Sequence, residues 1–167
     1  MVITNKYIAP VNEIWSILEN VSDPEVPVLS IIDLGVVREV VQNADGFVIC
    51  VTPTYTGCPA MDVMKMNIRM TLLEAGFTNI TIKEVLSPAW NTGWMSEAGK
   101  LKLKAYGIAP PQYQKLTIDA FAAVETVPCP LCNSTDTRLV SQFGSTACKA
   151  LYQCNECREP FDYFKCH

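Results

Sequence analysis

Eight cysteines carry most of the chemistry that this 167-residue chain could perform, and they fall into two groups. Cys50 and Cys58 lie in the first half, and the other six lie from Cys129 onward. Disulfides are the weaker interpretation, because the N-terminal sequence MVITNKYIAPVNEIW lacks the apolar core of an export signal. Metal binding or redox chemistry is therefore the stronger expectation for these thiols.

Two C-x-x-C pairs near the C-terminus have the spacing of a thiolate metal site. Cys129 and Cys132 form CPLC, Cys154 and Cys157 form CNEC, and 21 residues separate the pairs. Four thiolates at this spacing can converge tetrahedrally on one ion. A module of about 40 residues buries too little core to fold unaided, so a structural metal is expected. Zinc is favoured over a rubredoxin-like iron, although thiolate tetrahedra accept both metals.

Three further residues near this predicted site have less definite roles. Cys148 and Cys166 could substitute as ligands, hold a second metal or simply pack. His167 is the only histidine and the last residue, and we interpret it as a frayed end. With this one histidine, a histidine-based catalytic triad, a zinc hydrolase site or a histidine-ligated diiron site cannot be assembled from the chain.

The stretch TYTGCPAMD places Cys58 between a glycine and a proline, where an apolar helical pattern begins. Pro59 favours the first helical position, which predicts Cys58 as the N-cap, and Gly57 lets the backbone turn freely. A thiol there lies among unpaired N–H groups at the positive end of the helix dipole. These groups favour the thiolate, which is both a nucleophile and a metal ligand. The alternative is an inert small residue that fills the corner between strand and helix.

Composition and charge exclude several classes of partner. The net charge is -4, and from Pro128 onward four basic residues balance four acidic ones, so nucleic-acid binding is not expected. Protein contact is the better role for the ribbon. No apolar stretch approaches the roughly 18 to 20 residues that span a bilayer. We therefore expect a cytoplasmic protein without membrane contact.

Apolar periodicity predicts the order helix, strand, strand, helix, strand, helix before the ribbon. The KLKLK segment alternates as a strand would, but a helix is expected there. The predicted elements are a helix from Val11 to Val21, strands from Val36 to Val41 and Phe47 to Thr54 around an NADG turn, a helix from the Cys58 corner to about Ala75 with Met61, Met64, Ile68 and Leu72 in the core, a strand from Thr78 to Leu86, and a helix from a Ser96 cap to Gly107.

These elements predict an α/β (α+β) fold, a small three-stranded sheet with packed helices, followed by a C-terminal zinc ribbon. The predicted domains are residues 1–111 and 128–167. Residues 112–127 form a connector, whose KLTIDAFAAVETV sequence is apolar enough to add a strand to either domain.

Three carboxylates, Asp23, Glu25 and Asp33, lie on the predicted loop SDPEVPVLSIIDLGVV. They could take part in a site, or they could cap turns and helices, and both interpretations stay open. Trp90 and Trp94 could rim the same site, but as aromatic residues they are expected in the core.

Three blocks of sequence resemble a known family. DPEVPVLSIIDLGVV, VTPTYTGCPAMD and WNTGWMSEAGKLKLKAYGIAPP resemble, in this order, the signature blocks of the iron–sulfur cluster assembly domain family, which includes SufT-like and cytosolic cluster-targeting proteins. The resemblance spans roughly Val11 to Pro111. The ribbon sequence FGSTACKALYQCNECREPFDYFKC narrows it to the ribbon-bearing accessory subunits of the bacterial phenylacetyl-CoA epoxidase system.

This resemblance implies a role in assembling or inserting metal clusters for the multicomponent monooxygenase that epoxidises phenylacetyl-CoA in phenylacetate degradation. In that system one subunit carries a diiron site and a reductase carries an iron–sulfur cluster and flavin. The chain lacks ligands for the first and a dinucleotide fingerprint for the second, which indicates an accessory component rather than a catalyst. The implied partners are the oxygenase and reductase subunits.

The resemblance also implies a set of functional residues. The family's functional cysteine corresponds to Cys58, its acidic loop to Asp23, Pro24 and Glu25, and its second acidic residue to Glu97. Cys58 would hold an iron–sulfur cluster or iron transiently, because such clusters typically need four ligands. A second copy of the chain, a partner or the carboxylates would have to complete the coordination.

Two other functions remain open. The chain could be a non-catalytic structural or docking subunit of the oxygenase complex, which would tolerate the loss of Cys58. It could also be a thiol oxidoreductase that uses Cys58, but the site lacks a resolving cysteine in a C-x-x-C motif unless Cys50 serves.

Overall fold

The computed structural model describes residues 8–112 and 126–165, which form two compact units. The first unit contains residues 8–90 with Trp94–Ser96, and the second contains Asn91–Gly93 with residues 97–112 and 126–165. Residues 113–125, which make up most of the predicted connector, lie outside the described residues, as do Cys166 and His167. The boundaries proposed from the sequence, and the added strand in the connector, stay predictions.

Two helices and a three-stranded sheet form the first unit, in the order that the apolar periodicity predicts. These elements are α1 (Ile8–Leu18), β1 (Val37–Asn43), β2 (Gly46–Val51), α2 (Ala60–Glu74) and β3 (Ile80–Glu84). The central strand β2 pairs antiparallel with β1 and parallel with β3. The predicted fold class, a small sheet with packed helices, is confirmed. Among the described residues, no helix is both long and apolar enough to cross a membrane.

The core of the first unit lies between its helices and one face of the sheet. Ile14 and Leu18 of α1 are fully buried, as is Ile49 of β2. The prediction that one face of α2 belongs to the core is confirmed: Met61, Met64, Ile68 and Leu72 are buried. Helical spacing of apolar residues therefore located this packing surface correctly.

The second unit contains one helix and a four-stranded sheet. Its elements are α3 (Glu97–Ala105), β4 (Ile108–Ala109), β5 (Thr137–Ser141), β6 (Lys149–Cys154) and β7 (Pro160–Phe164). The strand order is β4-β7-β6-β5, with β4 parallel to β7 and the remaining neighbours antiparallel. The helix expected over the KLKLK segment is confirmed by α3, which buries only one side, at Gly99 and Leu103.

An apolar cluster forms the core around the cysteine pairs of the second unit. It includes Ala109 from β4, residues from β6 and β7, and two of the four C-x-x-C cysteines. Its buried members are Ala109, Val127, Cys129, Ala150, Tyr152, Cys154, Phe161 and Tyr163. The two-residue strand β4 was not predicted from the sequence. It adds a residue from before the connector to the core of the cysteine-rich module.

Candidate metal centre and Cys58 turn

The four cysteines of the two C-x-x-C pairs meet at one point of the second unit. The sulfur atoms of Cys129, Cys132, Cys154 and Cys157 all lie within 4.8 Å of one another. The Sγ atoms of Cys129 and Cys157 are 3.8 Å apart, and those of Cys132 and Cys154 are 3.6 Å apart. Residues that are 22 to 28 positions apart in sequence therefore form one compact group of thiols.

This group has the dimensions of a zinc site. Zinc–sulfur bonds of about 2.3 Å in a regular tetrahedron place the sulfur atoms about 3.8 Å apart, close to both distances given above. Four thiolates form a closed coordination shell, which is typical of structural zinc rather than of catalytic zinc. A bound zinc would crosslink the two C-x-x-C pairs and so stabilise the fold of the second unit.

The backbone around the two pairs follows the same pattern twice. The N–H of Cys129 donates to the carbonyl of Ser134 at 2.9 Å, and the N–H of Cys154 donates to that of Glu159 at 3.1 Å. Each bond links the first cysteine of a pair to the residue five positions later. These bonds turn the chain so that both cysteines of each pair present their sulfur atoms on the same side.

The thiol pKa values in this metal-free group diverge. The backbone N–H of Cys157 contributes most to Cys154 and lowers the pKa of its thiol to about 7. For Cys157 the N–H of Glu159 acts in the same direction, but desolvation and the neighbouring thiols outweigh it and raise its pKa to about 12. The pKa of Cys132 is raised in the same way, against the N–H of Ser134. Thiolates crowded together disfavour further ionisation, which a divalent cation would reverse.

Cys148 is buried outside this group of four. Its sulfur lies 3.0 Å from the hydroxyl oxygen of Thr146, and it precedes the first residue of β6. Of the three roles left open for it, the structure provides evidence for packing.

Cys58 lies in the turn that joins β2 to α2. The turn leaves the carboxyl end of the central strand, where open α/β sheets tend to carry their sites. Its first part is anchored: the Thr52 N–H donates to the Val36 carbonyl at 2.8 Å, and Thr52 and Thr54 are buried. Gly57 has a φ of 80°, a left-handed conformation that favours glycine. The Cys58 side chain is 8% exposed.

The helix after this turn begins one residue later than predicted. Pro59, rather than Cys58, is the N-cap of α2, with φ -66° and ψ -23°, and no side chain caps the helix. The Cys58 carbonyl still accepts a hydrogen bond from the Met61 N–H at 3.2 Å. Because the fixed φ of proline already suits a helix, Pro59 can start the turn without a polar side chain before it. The Cys58 thiol is therefore next to the helix N-terminus without being its cap.

Asp23 uses its carboxylate within its own loop. Its Oδ1 atom accepts hydrogen bonds from the N–H groups of Glu25, at 2.7 Å, and Val26, at 2.6 Å. This arrangement matches the capping alternative, in which an aspartate stabilises a turn. Asp23 also lines a cleft of about 380 Å³, together with Pro24, Pro27 and the second half of α2. Cys58 is not one of the residues that line this cleft.

Asp33 and Ser96 form a second anchored pair in the first unit. The Ser96 hydroxyl donates to Asp33 Oδ1 at 2.8 Å, and the Ser96 N–H donates to the Asp33 carbonyl at 2.9 Å. Asp33 Oδ2 also accepts from the Ser30 N–H at 3.2 Å. Ser96 was expected only as a helix cap. Its partner is 63 residues away in sequence, so no local pattern could have revealed it.

Glu97 opens α3 in the second unit and is exposed. Its carboxylate lies 2.6 Å from the Lys100 ammonium, one turn further along the helix. An acidic residue in the first turn also interacts favourably with the helix dipole. These contacts explain why an acidic residue stabilises the start of α3. The role of Glu97 in a functional site stays a prediction.

The two tryptophans considered for a site rim are largely structural. Trp90 is buried and its indole N–H donates to the Leu34 carbonyl at 2.9 Å. Trp94 stacks under the Arg38 guanidinium, with 3.4 Å between the Arg38 Cζ atom and the ring centre. Both contacts fasten the segment around Trp94 to the start of β1.

Comparison with known proteins places both parts of the chain in described families. Residues 12–80 match the model of an iron–sulfur cluster assembly protein, and residues 114–165 match the PaaD zinc beta ribbon domain. The chain therefore combines an iron–sulfur assembly domain with a zinc ribbon.

A match over nearly the full length identifies a more specific family. The chain is 51% identical over 161 residues to an Escherichia coli (strain K12) protein named as a putative 1,2-phenylacetyl-CoA epoxidase subunit, covering 95% of this chain and 96% of that one. The chain belongs to this PaaD family of phenylacetyl-CoA epoxidase subunits.

Two further comparisons concern the first part of the chain. It is 36% identical over 101 residues to the "Fe-S protein maturation auxiliary factor" of Porphyromonas gingivalis (strain ATCC BAA-308 / W83), covering 59% of this chain and 95% of that protein. The crystal structure of a DUF59 domain from Bacillus anthracis matches with a TM-score of 0.56 and 28% identity, over 59% of this chain and 95% of that one.

Proposed function

We propose that this accessory subunit helps to mature a metal centre of the phenylacetyl-CoA epoxidase system, with Cys58 as a transient ligand for an iron–sulfur cluster or iron. The observation that carries the proposal is the placement of Cys58. It follows the central strand of a domain related to a maturation factor, in an anchored turn next to a helix N-terminus. A thiol at such a position can serve as a metal ligand.

A single cysteine in this turn fits a transfer role better than permanent cofactor binding. At 8% exposure the thiol is shielded from solvent, while Thr56, Gly57 and Pro59 around it are exposed. One thiolate cannot retain a cluster that typically uses four ligands. The remaining ligands would come from the client protein, and they would leave with the cargo.

The ribbon is proposed as the docking module for the oxygenase or reductase subunit. It has no excess of positive charge from Pro128 onward, which disfavours a phosphate-binding role. It exposes large apolar side chains on the edge strand β5 and nearby loops, namely Leu131, Leu139, Val140 and Phe143. Large exposed apolar side chains are a feature of protein contact surfaces.

The same surface would also suit the alternative, a docking subunit that stays in the oxygenase complex without handling metal. Cys58 distinguishes the two functions, because only maturation requires its sulfur. Asp23, Glu25 and Glu97 distinguish the two functions less well than Cys58, because Asp23 and Glu97 already make local structural contacts.

The test uses cells that lack this subunit and are complemented with the wild type, Cys58→Ala or the control Cys50→Ala. Cys50 lies on the strand before the turn and is partly buried. We expect Cys58→Ala to lower phenylacetyl-CoA epoxidation at least several-fold, with less iron or sulfide in the oxygenase and reductase. Full activity and full metal loading with Cys58→Ala, together with stoichiometric co-purification, would favour the docking role instead.

A further inference from the structure

The four sulfur atoms of the candidate metal centre differ in their access to solvent. Cys129 and Cys154, the first cysteine of each C-x-x-C pair, are fully buried. Cys157 is partly exposed, and Cys132 is the only exposed cysteine among the residues that the structure describes. The residues on either side of Cys132 in the sequence are exposed as well. A small oxidant in solution therefore reaches the centre first at Cys132, because cysteine oxidation follows thiolate character and exposure.

Each accessible sulfur lies beside a buried sulfur of the other C-x-x-C pair. The Cys132 Sγ is 3.6 Å from that of Cys154, and the Cys157 Sγ is 3.8 Å from that of Cys129. A disulfide bond is about 2.05 Å long, so two sulfur atoms at these distances would each need to move by less than about 1 Å. Disulfides of this kind would join the same two segments of chain that a bound zinc joins.

We propose that Cys132 is a peroxide-sensitive modification site, and that oxidation starting there converts the zinc-loaded centre into two disulfides, Cys132–Cys154 and Cys129–Cys157. Both bonds run between the C-x-x-C pairs rather than within them. They replace the crosslink that the metal provides, and a covalent crosslink stabilises a fold mainly by constraining the unfolded chain. The second unit therefore stays folded when its zinc leaves, and reduction in the presence of zinc restores the original centre.

The chemistry takes one molecule of hydrogen peroxide for each disulfide. The Cys132 thiolate attacks a peroxide oxygen: an S–O bond forms, the O–O bond breaks and hydroxide leaves, so that the sulfur becomes a sulfenic acid. The Cys154 thiolate then attacks that sulfur: an S–S bond forms, the S–O bond breaks and a second hydroxide leaves. Two electrons pass from the two thiolates to the peroxide. Cys157 and Cys129 react in the same way with a second peroxide, and the ion that the thiolates held is released as Zn²⁺.

Peroxide treatment of the full chain, loaded with one zinc and freed of excess metal, tests the proposal. A chromogenic chelator measures zinc release, and alkylation of the remaining thiols followed by peptide mass spectrometry maps the disulfides. We expect zinc release to follow the loss of these four thiols, with Cys132–Cys154 and Cys129–Cys157 as the mapped pairs. The oxidised chain should resist limited proteolysis better than the reduced chain stripped of zinc.

Histidine variants separate the effect of exposure from the mere loss of a thiol. Histidine is also a zinc ligand, so Cys132→His and Cys129→His each keep four ligands and remove one sulfur. Cys132→His should slow zinc release roughly tenfold, because the first attack must then occur at the less exposed Cys157. Cys129→His is the matched control and should slow release much less, since Cys132 stays open to attack. Cys148→Ser, which changes a buried cysteine outside the group, should leave release unchanged.

Several outcomes would overturn the proposal. Disulfides formed within the C-x-x-C pairs do so, as does zinc that stays bound after the exposed thiol is oxidised. Equal release rates for Cys132→His and Cys129→His contradict the role of exposure, and if either variant fails to hold zinc, the disulfide map of the wild type decides. A chain that binds no zinc at the start overturns the zinc site together with the proposal. Because the readouts are zinc, disulfides and proteolysis, the result is independent of metal handling at Cys58.

Discussion

Asn133 and Arg158 occupy equivalent positions in the two C-x-x-C pairs. Each directly follows the second cysteine of its pair, and each has a left-handed backbone, with φ of 62° and 68°. Asparagine tolerates this conformation, whereas arginine adopts it at a cost of roughly 1–2 kcal/mol. The chain thus accepts local strain at Arg158 to bring Cys154 and Cys157 together.

Replacing Arg158 by glycine should therefore stabilise the second unit. We expect Arg158→Gly to raise the free energy of unfolding by up to about 1 kcal/mol, because glycine has no Cβ to strain. Urea unfolding of the zinc-loaded protein measures the effect. Glu159→Gly is the matched control, since Glu159 is an exposed neighbour without a positive φ, and it should not stabilise. A loss of stability with Arg158→Gly equal to that of the control would contradict the strain argument.

Removing one metal ligand should loosen the second unit selectively. Cys129→Ser should lower zinc content well below one ion per chain and increase protease sensitivity, because a structural zinc contributes directly to folding. Cys148→Ser is the control, since Cys148 is a buried cysteine outside the group of four. Elemental analysis and limited proteolysis provide the measurements. Full zinc content and protease resistance in Cys129→Ser would refute a four-thiolate zinc site.

Zinc affinity should fall as the pH is lowered. With pKa values of about 7 for Cys154 and about 12 for Cys157 in the metal-free group, the Cys157 thiol carries a proton near neutral pH. Zinc binds the thiolate and must displace that proton, so protons compete with the metal. Each proton released makes binding about tenfold weaker per pH unit. Calorimetry in two buffers of different ionisation enthalpy counts the released protons, and an affinity equal at pH 6 and pH 8 would contradict this account.

Gly35 should be much more sensitive to substitution than Gly57. It has φ of 66°, and a Cβ there would clash with the Trp94 carbonyl, whose carbon would be only 2.8 Å away. Gly35→Ala should cost roughly 2–4 kcal/mol, from backbone strain and overpacking together. Gly57→Ala should cost only about 1 kcal/mol, because Gly57 has φ of 80° but open space around it. Thermal unfolding compares the two variants, and equal losses would show that the contact with Trp94 adds nothing.

Much of the first unit could be predicted because its signals are local. The alternation of β1 and β2, the NADG turn between them and the apolar spacing of α2 each lie within a few neighbouring residues. The four thiols of the metal centre could also be predicted, since two C-x-x-C pairs at this spacing are typical of a four-cysteine zinc site. Helix α3 was the harder case, because the alternation in KLKLK is also typical of a strand.

The relationships that escaped prediction all join distant residues. Strand β4 has only two residues and exists because it pairs with β7, over 50 positions later. The Asp33–Ser96 contact spans 63 positions. On α2 the buried methionines were predicted, but exposure of Met66 and Met70 depends on what the rest of the fold leaves uncovered. Local patterns carry no information about any of these.

Strand β4, which pairs with β7, and the cysteine-rich module lie on opposite sides of positions 113–125 in the sequence but contribute to the same core. Ala109 before residues 113–125 and Val127 after them belong to the same buried cluster. The chain is therefore held in the second unit on both sides of this interval. A single proteolytic nick within it should yield two fragments that migrate together until denatured. A minimal ribbon for binding studies should accordingly begin before Ile108, because a shorter one would leave the β7 edge unpaired.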